Sequence, residues 1–291
     1  MTDREVDLLP AMPPLGPLFA KALLPRLGDG PARVPTATAV VAGIRPDPQR
    51  LADYDRVCGF TLRDHVPPTW LHVLTFPLHI HLLGGPDSTI RLAGAVHVSN
   101  RMRLHRGVAG TEVLDAGVRI ENLRPHRRGA QFDVISELRV GEELVWDGVS
   151  TYLAPGARVD GNPDDTPPSD STSKDGSEPV HPIAVWRLPA DLGRDYRRVS
   201  GDPNPIHTSR LAARAFGFAR PIAHGMWTHA RLLAALEPRL PETYEIEATF
   251  ARPILLPSQV GAWWRQDGDG WSAAVTTKDG AKPYLLASVR R

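Results

Sequence analysis

Residues 196–226 read YRRVSGDPNPIHTSRLAARAFGFARPIAHGM, and the rest of the chain is best read outward from them. The run Gly201-Asp202-Pro203-Asn204-Pro205-Ile206-His207 packs an acid, an amide and an imidazole into seven residues. Pro203 and Pro205 fix φ and bar a regular helix, so a stiff, irregular turn presents Asp202 and His207. A carboxylate and an imidazole sharing a site can hold one water and move its protons. Asn204 can orient that water or a substrate carbonyl. Taken alone, the same run also reads as a polar turn in which Asp202 caps a helix and His207 is exposed, because Asp, Asn and Pro are common turn residues. Downstream, Met226, Ala230, Leu233 and Leu236 stand at helical spacing within Gly225–Glu237, and Pro238 ends that helix. Tyr244, Ile246, Ala248 and Phe250 alternate with polar residues as a half-buried strand. Three more strands are predicted over Gln259–Arg265, Gly270–Lys278 and Pro283–Arg290.

Working back toward the N-terminus, the same pattern recurs. Asp53-Tyr54-Asp55-Arg56-Val57-Cys58-Gly59 matches Asp195-Tyr196-Arg197-Arg198-Val199-Ser200-Gly201 at an offset of 142 residues (53 to 195), with five of seven positions identical. His65 falls on His207 at that offset. A second echo pairs Trp70–Leu74 with Ile222–Met226 at an offset of 152 (72 to 224), so the second copy carries ten extra residues between the blocks. Between the copies, Gly156–Pro179 is rich in Gly, Pro, Ser and Asp, cannot bury a core, and reads as a mobile linker. The expected organisation is therefore one domain over 1–155, a linker over 156–180 and a second domain over 181–291. In the first copy a helix is predicted over Trp70–Leu83, with Pro77 as a defect. Strands are predicted over Ile90–Val98, Glu112–Leu123, Ala130–Val140 and Glu143–Leu153. One early helix followed by a run of strands is an α+β layout, an antiparallel sheet wrapped on a helix. No GxGxxG or Walker-type loop is present to hold a phosphate.

Composition narrows the function classes. The 291 residues carry 34 basic and 33 acidic side chains, a formal charge of +1. That balance leaves no concentrated basic footprint for nucleic acid. Cys58 is the single cysteine, so neither an intrachain disulfide nor a cysteine-rich zinc site is available. No apolar stretch reaches the ~18–20 residues of a membrane span. The acidic, proline-interrupted N-terminus does not read as a signal peptide. A cytoplasmic protein without a membrane span is expected.

The 196–226 stretch resembles the hydratase 2 motif of MaoC-like dehydratases, Tyr…Ser-Gly-Asp-x-Asn-Pro-Ile-His, then Gly-Phe, then Pro-Ile-x-His-Gly-Met. Tyr196, Ser200–Asp202, Asn204–His207, Gly217-Phe218 and Pro221–Met226 stand in that order. Phe250–Ile254 and Leu256–Ser258 also look like the family's strand and turn after the central helix. The first copy follows more weakly, through the repeat and the segment Pro68–Leu78. The two-copy arrangement is similar to that of 3-hydroxyacyl-thioester dehydratases of MaoC type. The resemblance implies a double hotdog fold and reversible hydration of a trans-2-enoyl thioester to the (R)-3-hydroxyacyl thioester, carried on coenzyme A or acyl carrier protein, with no cofactor. It implies that Asp202 and His207 form the proton-handling dyad and that the Gly225 N–H is the oxyanion donor. Asn204 is implied as a positioning residue. Two fused hotdogs reproduce the dimer of a single-hotdog enzyme, so a working monomer or a further homodimer is expected.

Other residues carry weaker signals. His224 adjoins the proposed oxyanion hole, but His72 stands at its place in the first copy, which favours a packing role. In the first copy Phe60 replaces Asp202 and Leu62 replaces Asn204, so that half is expected to be non-catalytic. Phe60 and Leu62 either line vacated space for an acyl chain or fill core. His79 and His81 lack a third ligand at sensible spacing, and no metal site is read. Trp263, Trp264 and Trp271 are expected in core or interface. Two competing functions keep the thioester but change the outcome: a hotdog thioesterase, and a non-catalytic acyl-thioester-binding subunit.

Overall fold

A computed structural model of the chain describes residues 4–22, 30–90, 94–163 and 181–291. In chain order the elements are β1 (Val6–Leu8), α1 (Leu15–Ala22), β2 (Thr38–Ile44), α2 (Pro48–Cys58), α3 (Pro68–Gly84), β3 (Val96–Leu104), β4 (Leu114–His126), β5 (Gly129–Val140) and β6 (Glu143–Pro155). Then follow β7 (Ala184–Leu188), α4 (Leu192–Ser200), a 3₁₀ turn (Pro205–His207), α5 (Arg210–Ala215), α6 (Gly225–Leu236), a second 3₁₀ turn (Glu237–Arg239), β8 (Tyr244–Phe250), β9 (Ser258–Asp267), β10 (Gly270–Thr277) and β11 (Pro283–Arg290). The strands form one 11-stranded sheet in the order β1-β2-β4-β5-β6-β3-β8-β11-β10-β9-β7.

That order is its own evidence of duplication. Outward from the β3–β8 pair, the first half runs β3-β6-β5-β4-β2 and the second runs β8-β11-β10-β9-β7. The helices match in the same way, α2 with α4 and α3 with α6. The repeated Asp-Tyr block ends each short helix on a left-handed glycine, Gly59 at φ 82° and Gly201 at φ 79°, a conformation that only glycine adopts without strain. The two blocks face one another: the rings of Tyr54 and Tyr196 lie 6.1 Å apart, and Arg50 Nε donates to the Val199 carbonyl at 2.7 Å. The two halves therefore join both at the helices and along the sheet.

Each long helix is enclosed by its part of the sheet, as the α+β expectation required. α3 is apolar on all sides, and thirteen of its seventeen residues are buried, which suits a helix with no solvent face. Pro68 opens it, where a missing N–H costs nothing, and Pro77 stands inside it. In α6 the buried residues include Met226, Ala230, Leu233 and Leu236, the four whose spacing predicted the helix.

Two sequence expectations need correction. The strand read over Ile90–Val98 lies further along, at Val96–Leu104; residues 91–93 fall outside the described residues. Its polar run Ser99-Asn100-Arg101 is the seam between the halves. There Asn100 is fully buried and donates to Ser150 Oγ at 3.1 Å, and Arg101 pairs with Glu245 at 2.7 Å across the seam. Strands β1, β2 and β7, at the two ends of the sheet, were not anticipated, because each is short and has prolines nearby. Of the expected 156–180 linker, residues 164–180 lie outside the described residues.

Candidate active site

The turn after α4 is built from its own side chains. Asn204 Oδ1 accepts from the Ile206 N–H at 3.3 Å and so caps the Pro205–His207 3₁₀ turn. Asp202 Oδ1 accepts from the Asn204 N–H at 2.9 Å. One carboxylate oxygen is thus anchored and the other is left to the site. These are the Asx contacts that make Asp and Asn favoured in turns. Asn204 does shape the loop that carries Asp202, and it also lines the cavity described below.

His207 is buried, and its Nδ1 lies 2.8 Å from the Ile222 carbonyl oxygen. A carbonyl only accepts, so Nδ1 carries the proton and the Nε2 lone pair of the neutral ring is free. Burial lowers the pKa of His207, opposed by the Asp202 charge and by the Ile222 contact. The donor atoms of Asp202, His207 and His224 all lie within 4.8 Å of one another. At that separation one water can bridge the acid and the imidazole.

His224 is more central than the sequence suggested. Its ring stacks on His207 with centroids 3.6 Å apart, and it also packs on Tyr196 at 4.9 Å. His224 Nε2 is 3.8 Å from Asp202 Oδ2, and neither ring nitrogen has a hydrogen-bond partner among the described residues. Burial, with His207 and Arg197 nearby, holds its pKa well below the usual histidine value. The motif gave no direct signal for this; only the adjacency of His224 to Gly225 did. Two histidines and a carboxylate are ligand types for a divalent cation. The stacked rings, however, set their lone pairs side by side, and a shared ion would sit out of both ring planes.

Gly225 is the first residue of α6, so its N–H has no intrahelical carbonyl and lies at the positive end of the helix dipole. A Cβ at Gly225 would stand 3.0 Å from Phe250 Cε1, so the Phe250 ring closes over this backbone. The preceding residues are fixed: Ile222 N donates to the Ile206 carbonyl at 3.3 Å and Ala223 N to the Ile254 carbonyl at 2.9 Å.

Asp202, Asn204, His207 and Gly225 line one cavity of about 640 Å³ that continues into the first half. There its walls include Val73, Phe76, Ile80 and Leu83 of α3, Phe19 of α1 and Leu153 of β6. Phe216 and Phe218, from the segment that the first copy lacks, line it on the catalytic side. Neither Phe60 nor Leu62 is among the lining residues. Phe60 is buried beside Tyr54 at 6.3 Å and Leu62 is 66% exposed, so the reading of both as an acyl lining is overturned. Phe60 fills core because α2 ends against it. His65 is exposed at an isolated bridge to Ala109. α3 already includes His72 in its second turn, whereas α6 begins just after His224. The first copy therefore has no free N–H at the place that Gly225 occupies in the second.

The other histidines of α3 have polar partners, and His79 also lines the cavity. His79 Nε2 and Ser136 Oγ are 2.7 Å apart, and His81 contacts Asp7 at 2.7 Å. Trp264 and Trp271 pack against the core.

Two sheet-wrapped helices joined along one sheet define a double hotdog, with an acid–imidazole turn beside the N-terminus of α6. The comparisons with known proteins agree. Residues 170–284 match the MaoC like domain. The chain is 36% identical over 259 residues to 3-hydroxyacyl-thioester dehydratase X of Mycobacterium tuberculosis, covering 89% of this chain and 90% of that protein. The crystal structure of HtdX of Mycobacterium tuberculosis superposes with a TM-score of 0.76 at 35% identity, covering 87% of this chain and 99% of that one. A double-hotdog protein of the same organism matches in fold, with a TM-score of 0.51 at 16% identity over 86% of this chain and 94% of that one. The chain belongs to the MaoC-like dehydratase family.

Proposed function

We infer that this chain is a hydro-lyase that interconverts a trans-2-enoyl thioester and the (R)-3-hydroxyacyl thioester, the acyl group being carried on coenzyme A or acyl carrier protein. The observation that carries the reading is the meeting of Asp202 and His207, within 4.8 Å, beside the free N–H of Gly225 in one cavity. In the hydration direction, the water oxygen bonds to the β-carbon and the π pair moves toward the thioester. The charge that develops on the thioester oxygen is held by the Gly225 N–H and the α6 dipole. The water proton passes to the Asp202–His207 pair, which returns a proton to the α-carbon. The pair titrates as one unit, so the proton is assigned to both. Dehydration is the same path reversed, with the 3-hydroxyl leaving as water.

The acyl chain extends from the site along α3 into the first half. In this reading residues 1–155 are the non-catalytic unit, 156–180 the join and 181–291 the catalytic unit. The protein works in the cytoplasm as a fused pair of hotdogs, alone or as a homodimer. A crotonyl thioester assay tests the function. Loss of the enoyl absorbance without thiol release is the expected result. Release of free thiol would make the protein a thioesterase, and neither change would make it a binding subunit.

A further inference from the structure

We propose that His224 is a positioning residue that sets the geometry of both Asp202 and His207. The inference rests on the hydratase reading above. His207 has one polar anchor, the Nδ1 contact to the Ile222 carbonyl. A single anchor fixes where Nδ1 points and leaves the ring free to swing about that contact. The His224 ring, 3.6 Å away and inclined by 25°, is a plate against which the plane of His207 rests. The plate is packed on its own neighbour and its backbone is held. Its far neighbour is Tyr196, and the His224 carbonyl accepts from both the N–H and the hydroxyl of Thr228 at 3.2 and 3.3 Å.

His224 also addresses the acid. Asp202 Oδ1 is taken by the Asn204 N–H, and the nearest ring nitrogen to Oδ2 is His224 Nε2, at 3.8 Å. One buried side chain therefore meets the free oxygen of the acid and the face of the base. The counterpart in the first copy, His72, has no such partners, because the acid is replaced by Phe60 and His65 lies at the surface. The packing role expected from that symmetry does not carry over.

The test uses the full chain with His224→Ala and His224→Phe, reading kcat, KM and the pH profile with a crotonyl thioester. His224→Phe keeps the plate and removes the ring nitrogen that faces Asp202; His224→Ala removes both. Both should lower kcat with KM within about threefold, by about tenfold for Phe and about 100-fold for Ala, the range for groups that orient a reacting side chain. The acid limb of kcat/KM supplies a second readout. His207 is faced by Asp202 and His224, with Tyr196 and Arg197 behind His224, and burial is the first cause of its lowered pKa. Exposing its ring face in His224→Ala should move that limb to higher pH, while His224→Phe should leave it in place. A role in packing alone would lower melting temperature and active fraction without moving the limb. Wild-type kcat in the Phe variant, or an unmoved limb in a folded Ala variant, overturns the proposal. If the Ala variant does not fold, the kcat of the Phe variant decides. A wild-type protein that hydrates no enoyl thioester removes the hydratase reading and this one together, whereas active wild type with unaffected variants removes this one alone.

Discussion

Three residues meet at the proposed reacting centre, and each carries a separable prediction. Asp202→Asn and His207→Gln should each lower turnover by about 10²–10⁴-fold, the usual worth of a positioned acid–base group, with melting temperature little changed. Near-normal turnover in either variant would remove that residue from the dyad. Gly225 makes a different test. An added Cβ meets the Phe250 ring at 3.0 Å, so Gly225→Ala must push the ring or the start of α6 by a few tenths of an ångström. A displaced oxyanion donor should cost about tenfold in kcat, or ~1.4 kcal/mol. Phe250→Leu in the same chain should restore part of that loss, because the two positions share one contact. Additive effects in the double variant would show that the clash is not the cause. The proposed roles of Asp202, His207 and Gly225 come from the resemblance of residues 196–226 to the family motif. That of His224 does not, because ring stacking between residues seventeen apart depends on how the 222–224 segment is pinned to Ile206 and Ile254.

At the scale of the element, α3 is the decisive one. Its Val73, Phe76, Ile80 and Leu83 wall the part of the cavity beyond the site. Each buried methylene contributes about 0.8 kcal/mol, about fourfold in affinity, so this wall should set chain-length preference. Ile80→Trp should lower the long-chain to four-carbon ratio of kcat/KM by tenfold or more, and Phe60→Asp should leave that ratio alone. An unchanged ratio in a folded Ile80→Trp protein would place the acyl chain elsewhere. Helix α6 and strand β8 were readable from their apolar periodicity, and α3 from its place in the repeat. β3 was misplaced because it is buried on the strength of its neighbours: a strand paired on both sides, to β6 and β8, tolerates Asn100 and Arg101 once Ser150 and Glu245 answer them. Such tertiary compensation leaves no local mark. The same holds for Phe60 and Leu62, whose loss of chemistry was visible but whose destinations were not.

For the whole molecule, buried neutral imidazoles govern the response to acid. His72, His79, His97, His207, His224 and His229 all have lowered pKa values, with burial the first cause; His72 falls to about 4 and His229 to about 3. As pH drops below ~6.5 the unfolded chain binds protons that the folded chain refuses, so stability is lost toward pH 4. Each such group contributes up to about 1.4 kcal/mol per pH unit within its window. Asp55, raised to about 7 chiefly by burial, acts in the opposite sense, favouring the fold below that pH, but it is one group against several. Melting temperature should therefore fall steeply from pH 7 to pH 5. His229→Leu, which removes a buried ring whose two nitrogens have no partner, should flatten the slope. An unchanged slope in that variant would mean that His229 takes up its proton equally in the folded and the unfolded chain. A tight-binding thioester analogue should saturate at one equivalent per chain, since only the second copy holds an acid, a base and a free helix N–H together.

The pairing of β3 with β8 has a consequence for how the protein behaves when scarce. In a hotdog enzyme made of separate subunits, dilution below the dissociation constant would take the site apart. Here the two halves share one backbone, so their mutual concentration is fixed whatever the amount of protein present. Specific activity should stay constant down to the lowest assayable enzyme concentration. Cutting the backbone between Pro155 and Ala184 should make it fall with dilution for the first time.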